Sequence, residues 1–197
     1  MDGFSIFPGA IGREAQESLM RTVMDAISAA PLYRPVTPGG KAFSVEMTNF
    51  GPLGWVSDRS GYRYQAFHPL TRQPWPPMPA VLEELWDRYS GAGSPADACL
   101  VNLYRAGARM GLHQDRDEAD FSFPVLSVSL GDTAIFRIGP PETGRTQSVR
   151  LASGDICVLA GAARLARHGV DRILSGSSRL VPGGGRLNLT LRRARLA

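Results

Sequence analysis

The sequence contains little cysteine, almost no lysine and no long apolar run, and each scarcity excludes a class of protein. The two cysteines, Cys99 and Cys157, each lie within a short apolar run, so we expect both to be reduced core residues. No apolar run approaches the roughly 18 residues needed to cross a bilayer. The N-terminus has neither a basic start nor a long apolar stretch, which argues against a secretory signal. We therefore expect a cytoplasmic monomer with no membrane partner.

Arginine takes the place of lysine. Lys41 is the single lysine among 22 basic residues. Residues 1–98 carry eight basic and ten acidic side chains, whereas residues 99–197 carry fourteen and eight. Genome base composition is one explanation of the arginine preference, and the bidentate guanidinium binding of phosphate or carboxylate is another. The formal net charge of +4 permits a nucleic-acid partner without requiring one.

Length and composition favour one globular domain, residues 1–197, because 43% of the residues are apolar and 20% are charged. Apolar residues three or four apart predict amphipathic helices at 13–29 and 79–90. An alternating strand at 42–49 is followed by Gly/Pro turns, by Trp55 and by a proline-rich stretch. Residues 32–78 thus predict a hairpin-built flap with exposed aromatic side chains.

The second half of the chain is patterned as short strands. They are predicted at 98–104, 110–114, 125–130, 134–138, 148–151, 156–160, 169–174 and 186–192. Eight such strands are typical of a jelly roll, also called a double-stranded β-helix. The predicted fold class is α+β and mainly β: a jelly-roll core at 98–193, two N-terminal helices on one face, and the β-hairpin flap.

His113-Gln-Asp115 is the first candidate site. Residues i and i+2 of a strand face the same way, so imidazole and carboxylate converge. The only later histidine is His168. Two histidines and one carboxylate form the facial triad of non-haem Fe(II) oxygenases, which leaves coordination positions open. The tripeptide by itself is weak evidence, and the remaining histidine, His68, is expected at the surface.

A second signal comes from Arg186-Leu-Asn-Leu-Thr-Leu-Arg192. Alternation places Arg186, Asn188, Thr190 and Arg192 on one face of a strand. The face could simply contact water, but inside a jelly roll it requires an anion. The two arginines are separated by roughly 20 Å of strand, so side chains reaching inward suit a short dicarboxylate. Iron with a dicarboxylate indicates 2-oxoglutarate.

Together these motifs resemble the AlkB family of Fe(II)/2-oxoglutarate dioxygenases, in particular the bacterial AlkB type. The resemblance covers about residues 32–193, in order and at consistent spacing. The motifs that carry it are Met47-Thr-Asn49, Leu53-Gly-Trp55, Gly61-Tyr-x-Tyr64, Asn102-Leu-Tyr104, Leu112-His-Gln-Asp-Arg-Asp-Glu118, Ser127-Val-Ser-Leu-Gly131, Gly154-Asp155, Arg164-Leu165, His168-Gly169 and Arg186-x-Asn-x-Thr-x-Arg192.

The resemblance implies a role for each matching residue. Iron is expected on His113, Asp115 and His168. The distal carboxylate of 2-oxoglutarate is expected on Asn102, Tyr104 and Arg186, with Asn188 and Arg192 near the keto acid end. Substrate contacts are expected from Trp55, Tyr62, Tyr64 and Asp117. Without the family, Asp117, Glu118 and Asp120 would suggest a solvated acidic loop. The loop 139–147 departs from the family pattern, so a basic contact to DNA is either Arg145 or missing.

The implied activity is oxidative demethylation of alkylated bases in DNA with Fe(II), O2 and 2-oxoglutarate, which releases succinate, CO2 and formaldehyde. N1-methyladenine and N3-methylcytosine are the expected lesions, and single-stranded DNA is the expected partner. One alternative is the same chemistry on RNA or on a protein side chain. Another is a non-catalytic nucleic-acid binding module, which the presence of all three ligands and both arginines disfavours.

Overall fold

Two large antiparallel sheets, a two-stranded hairpin and two α-helices build the fold, and the computed structural model describes residues 1–195. The last two residues of the predicted 1–197 domain lie outside this range. The helices are α1 (Arg13–Ala29) and α2 (Ala80–Tyr89). The strands are β1 (Phe4–Phe7), β2 (Glu46–Phe50), β3 (Gly54–Asp58), β4 (Gly61–Gln65), β5 (Ala98–Tyr104), β6 (Met110–His113), β7 (Val125–Gly131), β8 (Thr133–Gly139), β9 (Gln147–Leu151), β10 (Ile156–Leu159), β11 (Arg167–Leu174) and β12 (Arg186–Arg192).

Strands β5 to β12 form the predicted jelly roll. The larger sheet has the order β1-β10-β7-β12-β5-β2, and the smaller sheet has the order β6-β11-β8-β9. From β5 to β12 consecutive strands alternate between the two sheets, except that β8 and β9 are neighbours in the smaller sheet. The inner faces of the two sheets enclose an apolar cluster that includes Phe136, Leu159 and Val170. The site described below lies between these faces.

Both predicted helices cover the outer face of the larger sheet. Leu19 and Val23 of α1 and Trp86 of α2 are buried in one cluster with Val101 and Leu189 of the sheet. Helix α2 begins one residue later and ends one residue earlier than predicted, because Pro79 is its N-cap and Ser90 its C-cap. The amphipathic pattern therefore located both helices correctly. No helix within residues 1–195 is long and apolar enough to cross a membrane.

The predicted strand at 42–49 is partly wrong. Strand β2 starts only at Glu46, and it pairs with β5 as an edge strand of the larger sheet. Ala42 instead makes an isolated bridge with Val36, and the Phe43 N–H donates to the Pro35 carbonyl. A local turn therefore uses the backbone groups that a longer strand would have needed. Strand β1, which pairs with β10, was not predicted from the sequence.

A separate hairpin, β3–β4, stands beside the jelly roll, and Trp55 is the cross-strand partner of Tyr64. Gly54 begins the hairpin in tight contact, because a Cβ there would lie 2.4 Å from the Trp75 ring. The expectation that the aromatic residues of the flap are exposed is wrong for Trp75, whose residue is 5% exposed. Its indole N–H donates to the Gln65 carbonyl over 2.8 Å.

His68 was expected at the surface, and this is also wrong, because the residue is completely buried. Its Nδ1 accepts the N–H groups of Leu70 and Thr71, so the proton belongs on Nε2, which donates to the Pro31 carbonyl over 2.8 Å. The ring also packs against Trp75. Prolines prevent regular secondary structure in this segment. The imidazole therefore supplies hydrogen-bond partners for backbone groups that would be paired in a helix or sheet.

Candidate active site

The jelly roll brings the three predicted metal ligands together. His113 ends β6 and is paired directly with His168 on β11, and Asp115 follows two residues after His113. The Asp115 carboxylate oxygens lie 3.7 Å from His113 Nε2 and 3.9 Å from His168 Nε2. One ligand atom from each residue lies within 4.8 Å of the others. A single divalent ion fits this spacing, and two imidazoles with one carboxylate suit Fe(II).

The two histidines are oriented in the same way. In each, Nδ1 lies 2.9 Å from the carbonyl oxygen two residues earlier, that of Gly111 for His113 and that of Ala166 for His168. A carbonyl only accepts, so Nδ1 carries the proton and Nε2 keeps its lone pair for a metal. Burial lowers the pKa of His168, although Asp115 acts in the opposite direction. The neutral imidazole that a metal requires is thereby favoured.

Asp115 is held by arginine on one oxygen. Arg192 donates to Asp115 Oδ2 from Nη2 over 2.8 Å and from Nε over 3.2 Å. Burial by itself raises the pKa of Asp115, but Arg192 and the two histidines outweigh it and hold this pKa below its usual range. The carboxylate is therefore charged at neutral pH, and Oδ1, which faces His113, makes no bond to Arg192.

A cavity of about 620 Å³ extends from the triad between the two sheets. Its inner wall is partly apolar, with Met47, Leu100, Val125 and Phe136. The polar residues Asn102, Tyr104, Asn188, Thr190 and Arg192 also line it. The volume is ample for a small organic acid next to a metal ion together with part of a larger substrate.

Arg186 lies beyond this polar end and is 1% exposed. Its Nη2 donates to Ser129 and Asn188, over 2.9 and 3.1 Å, but its Nε finds no partner within residues 1–195. The Asn102 side-chain oxygen is also buried without a partner in that range. Buried polar groups are rarely left unpaired. A carboxylate would satisfy the Arg186 Nε–H but not the Asn102 oxygen, which also accepts, so the fit to 2-oxoglutarate rests on Arg186.

The register explains why Tyr104 and Asn102 join Arg186. Tyr104 is the direct partner of Arg186 across β5 and β12, and Asn102 is the partner of Asn188. Cross-strand partners point to the same face of a sheet, so all four side chains face inward. Burial raises the pKa of Tyr104 to about 12, so its hydroxyl keeps its proton and can donate. The structure thus gathers four of the five residues expected to hold 2-oxoglutarate.

Arg192, the fifth, lines the cavity next to Asp115, and its position near the keto acid end of 2-oxoglutarate stays a prediction. Its Nε and Nη2 contact Asp115, and its Nε also lies 3.2 Å from Glu118. Protein carboxylates therefore occupy this guanidinium, and its charge is matched before any ligand enters. The expectation that Arg186 and Arg192 hold the two ends of a dicarboxylate stays a prediction.

Trp55, Tyr62 and Asp117 form the cavity mouth. The rings of Trp55 and Tyr62 are stacked with centroids 5.6 Å apart and 16° between their planes. The Trp55 indole N–H donates to Asp117 Oδ2 over 2.7 Å. All three residues line the same cavity as His113. Tyr64, which was expected at the substrate, does not line the cavity, and its hydroxyl donates to Glu118 instead.

Sequence reasoning did not single out Glu118 or Arg164 as site residues. Glu118 is 6% exposed, which excludes the solvated acidic loop that its neighbours suggested. Arg164 Nη2 donates to Glu118 Oε2 over 2.9 Å, and Arg164 Nη1 donates to the Asp115 backbone carbonyl. Both residues belong to the motifs of the family resemblance, which was the available signal. In the 139–147 loop, Arg145 is exposed, and Arg167 Nε donates to the Pro140 carbonyl.

Comparisons with known proteins agree with this geometry. The family model described as the 2OG-Fe(II) oxygenase superfamily matches residues 3–192. The "Alpha-ketoglutarate-dependent dioxygenase AlkB homolog" of Caulobacter vibrioides is 60% identical over 196 residues, covering 99% of this chain and 89% of that protein. The "Alpha-ketoglutarate-dependent dioxygenase AlkB" of Escherichia coli is 43% identical, covering 91% of this chain and 85% of that protein.

More distant relatives extend the similarity. The "Nucleic acid dioxygenase ALKBH1" of Mus musculus is 33% identical over 135 residues, covering 66% of this chain and 33% of that protein. The solved structure of OsALKBH1 superposes with a TM-score of 0.84 at 29% identity and covers 97% of this chain and 96% of that chain. The resemblance seen in the motifs is therefore matched over nearly the whole chain and in the fold.

Proposed function

Because this chain belongs to the AlkB family within the 2OG-Fe(II) oxygenase superfamily, we propose that it removes methyl groups from N1-methyladenine and N3-methylcytosine in DNA. The chain is an Fe(II)- and 2-oxoglutarate-dependent dioxygenase whose reaction class is oxidative demethylation of alkylated nucleic acid. The lesion, the kind of nucleic acid and the individual residue roles are our proposal.

One observation carries the choice of substrate: an aromatic mouth opens onto the same cavity as the His-Asp-His cluster. Trp55 and His113 both line that cavity, and Trp55 is held in place by Asp117. A flat base fits against an indole, since stacking on an aromatic ring is favourable for every base. We assign Trp55 and Tyr62 to base binding for this reason.

The contacts support the residue roles that we propose. His113, Asp115 and His168 would hold Fe(II), with Asp115 binding through Oδ1 because Arg192 holds Oδ2. Arg186, Asn102, Tyr104 and Asn188 would hold 2-oxoglutarate, whose carboxylate would satisfy the unpaired Arg186 Nε, and Arg192 would lie near the keto acid end. When bound, Fe(II) and 2-oxoglutarate together activate O2 so that an inert N-methyl group can be hydroxylated. The hydroxymethyl product then loses formaldehyde.

The position of the methyl group explains the need for an open mouth. N1 of adenine and N3 of cytosine lie on the pairing edge, so the base must leave a duplex before it can be reached. A single strand does not pay this unpairing cost, and we therefore propose a preference for single-stranded DNA. Both methylated rings are cationic, and the exposed Asp117 carboxylate at the mouth favours a positive ring by electrostatic attraction.

The test is mass spectrometry of a single-stranded DNA oligonucleotide with one N1-methyladenine, incubated with protein, Fe(II), ascorbate and 2-oxoglutarate. We expect loss of one methyl group, with succinate and formaldehyde formed in equal amounts. Omitting Fe(II) or 2-oxoglutarate should abolish the reaction. His168→Ala serves as a matched inactive variant, because it removes one proposed ligand from strand β11.

Three further oligonucleotides separate the alternatives. An N3-methylcytosine strand tests the second lesion, the same sequence as RNA tests the sugar, and a matching duplex tests strandedness. Efficient demethylation of RNA with none of DNA would overturn the DNA assignment and leave the reaction class standing. Succinate formation with no loss of methyl from any strand would contradict these lesions. Failure of the protein to bind Fe(II) anaerobically would favour the non-catalytic binding module.

A further inference from the structure

We propose that Glu118 is a positioning residue that links the hairpin over the cavity to the carboxylate of Asp115. The inference rests on the proposed iron role of Asp115. It concerns a buried chain of four side chains, Tyr64, Glu118, Arg192 and Asp115, with Arg164 as a brace. None of these links depends on which nucleic acid is the substrate.

Glu118 is the centre of the chain. Its Oε1 accepts the Tyr64 hydroxyl over 2.5 Å and lies 3.2 Å from Arg192 Nε, and its Oε2 accepts Arg164 Nη2 over 2.9 Å. The Glu118 and Arg164 side chains are 2% and 3% exposed. A carboxylate shielded in this way is screened little by salt and holds its partners in a defined geometry.

Two arms run from Glu118 to Asp115. Arg192 contacts Glu118 through Nε and binds Asp115 Oδ2 through Nε and Nη2. Arg164 contacts Glu118 and also donates from Nη1 to the Asp115 backbone carbonyl over 2.9 Å. Side chain and main chain of Asp115 are therefore both held by arginines that share Glu118. A shift of Glu118 would therefore shift both arginines and change the orientation of the Asp115 carboxylate.

A third arm runs from Glu118 to the hairpin. Tyr64 lies opposite Trp55 in the β3–β4 register. Trp55 donates a hydrogen bond to Asp117, and Tyr64 donates one to Glu118. The two cross-strand partners are thus bound to two adjacent acidic residues. The Trp55–Asp117 bond lies at the exposed mouth, where a substrate base can compete for it. The Tyr64–Glu118 bond is buried, and it keeps the hairpin attached when that exchange occurs.

The charges of the chain explain why Glu118 cannot be replaced by a neutral group without consequence. Two buried arginines face two buried carboxylates, and the four charges compensate one another. Removing one carboxylate leaves a buried guanidinium charge unmatched. Arg192 then has Asp115 as its only carboxylate partner among the described residues, and the Asp115 carboxylate is drawn further from the metal position.

The first experiment measures amide hydrogen exchange of the hairpin, Gly54–Gln65, with and without Fe(II) and 2-oxoglutarate under anaerobic conditions. In the wild-type protein we expect loading to slow exchange in the hairpin, because loading fixes Asp115 and hence Glu118. In Tyr64→Phe this slowing should shrink at least threefold. Tyr33→Phe is the matched control, since the Tyr33 hydroxyl is buried and has no partner within residues 1–195.

The second experiment measures anaerobic Fe(II) affinity in Glu118→Gln. Groups that orient a metal ligand change metal affinity by about 10- to 100-fold when they are removed, and we expect a loss in that range. Asp120→Asn is the control, because Asp120 belongs to the same loop and accepts the Ser122 N–H without joining the chain. Circular dichroism establishes that each variant is folded. If Glu118→Gln does not fold, the Tyr64→Phe exchange experiment decides.

The inference fails if Tyr64→Phe retains the wild-type response of the hairpin, or if folded Glu118→Gln binds Fe(II) with wild-type affinity. Either result would reduce Glu118 to a counter-charge for Arg164. These readouts use no nucleic acid, so they are independent of the proposed lesion. A wild-type protein that binds no Fe(II) would instead overturn the proposed function itself.

Discussion

At the scale of single residues, hydrogen bonds and burial set the protonation of the side chains around the cavity. Nδ1 of His113 and of His168 faces a backbone carbonyl, which selects the neutral tautomer whose lone pair is on Nε2. Cys157 lines the same cavity, but burial raises the pKa of its thiol to about 11. At neutral pH the thiol keeps its proton and does not compete for iron, because the thiolate is the form that binds metal.

Trp55 gives the prediction that belongs to this scale. Replacing it by alanine removes the surface on which a base would stack, and stacking is worth about 1–3 kcal/mol per base. We expect KM for the methylated oligonucleotide to rise about 5- to 150-fold in Trp55→Ala. Succinate formation without nucleic acid should stay near the wild-type rate, because Trp55 makes no bond to the triad.

The measurements are succinate formation with and without oligonucleotide, and formaldehyde formation with the oligonucleotide at several concentrations. Leu70→Ala is a suitable control, because Leu70 is a strongly exposed apolar side chain on the same segment and does not line the cavity. An equal loss of both activities in Trp55→Ala would assign Trp55 a structural role in place of substrate binding.

At the scale of elements, the site depends on how closely β6 and β11 approach each other. His113 and His168 face each other across these strands, with ring centroids 4.6 Å apart. Gly169, next to His168, allows this approach. A Cβ there would lie 2.6 Å from the Met110 carbonyl oxygen and 2.7 Å from that of Gly111. These atoms belong to the backbone of β6, so they can give way only if the strand moves.

We therefore expect Gly169→Ala to separate the two strands and to weaken anaerobic Fe(II) binding at least tenfold. Displacements of about 1 Å in a site commonly have effects of this size or larger. Gly12→Ala is the control, since a Cβ at Gly12 meets nothing within 4 Å. Titration of each apoprotein with Fe(II) gives the affinities. Wild-type affinity in Gly169→Ala would mean that β6 tolerates the added methyl group.

At the scale of the whole molecule, charge is distributed unevenly between the two halves of the chain. The acidic half supplies both helices, which cover the outer face of the larger sheet, whereas the basic half supplies the jelly-roll strands β5 to β12 except for Ala98. Arg116 is exposed and lines the cavity next to the mouth. A polyanion approaching the cavity therefore meets the guanidinium of Arg116.

This arrangement predicts salt-dependent binding of a methylated single strand. Each phosphate neutralised on a single strand contributes about −0.7 to the slope of log affinity against log salt. We expect Arg116→Ala to reduce the magnitude of the wild-type slope by about that amount. Arg21→Ala, an exposed arginine on α1, should leave the slope unchanged. Fluorescence anisotropy at several salt concentrations gives the slope for each protein. A wild-type affinity that does not change with salt would contradict the prediction.

Sequence alone predicted the elements whose patterns are local. The stripe of α1, the alternation of β12 and the spacing of the eight jelly-roll strands reflect which residues a helix or strand can bury, and each is readable from neighbours in the chain. The His-x-Asp spacing and the later His168 suggested the three metal ligands as a set, and the family resemblance supported that set. Two of the local predictions were wrong. The strand at 42–49 is shortened by a local turn, and His68 is buried because its ring bonds to backbone groups.

Only the tertiary structure decided what the buried charges contact. In the sequence Glu118 is one of three acidic neighbours in a loop. In the structure it accepts hydrogen bonds from Tyr64, 54 residues away in the chain, and from Arg164, 46 residues away. Arg192 and Arg186 share one face of β12, but one is neutralised by Asp115 while the other keeps an unpaired Nε. Pairing of buried charges depends on distances across the fold, and local patterns in the chain do not encode those distances.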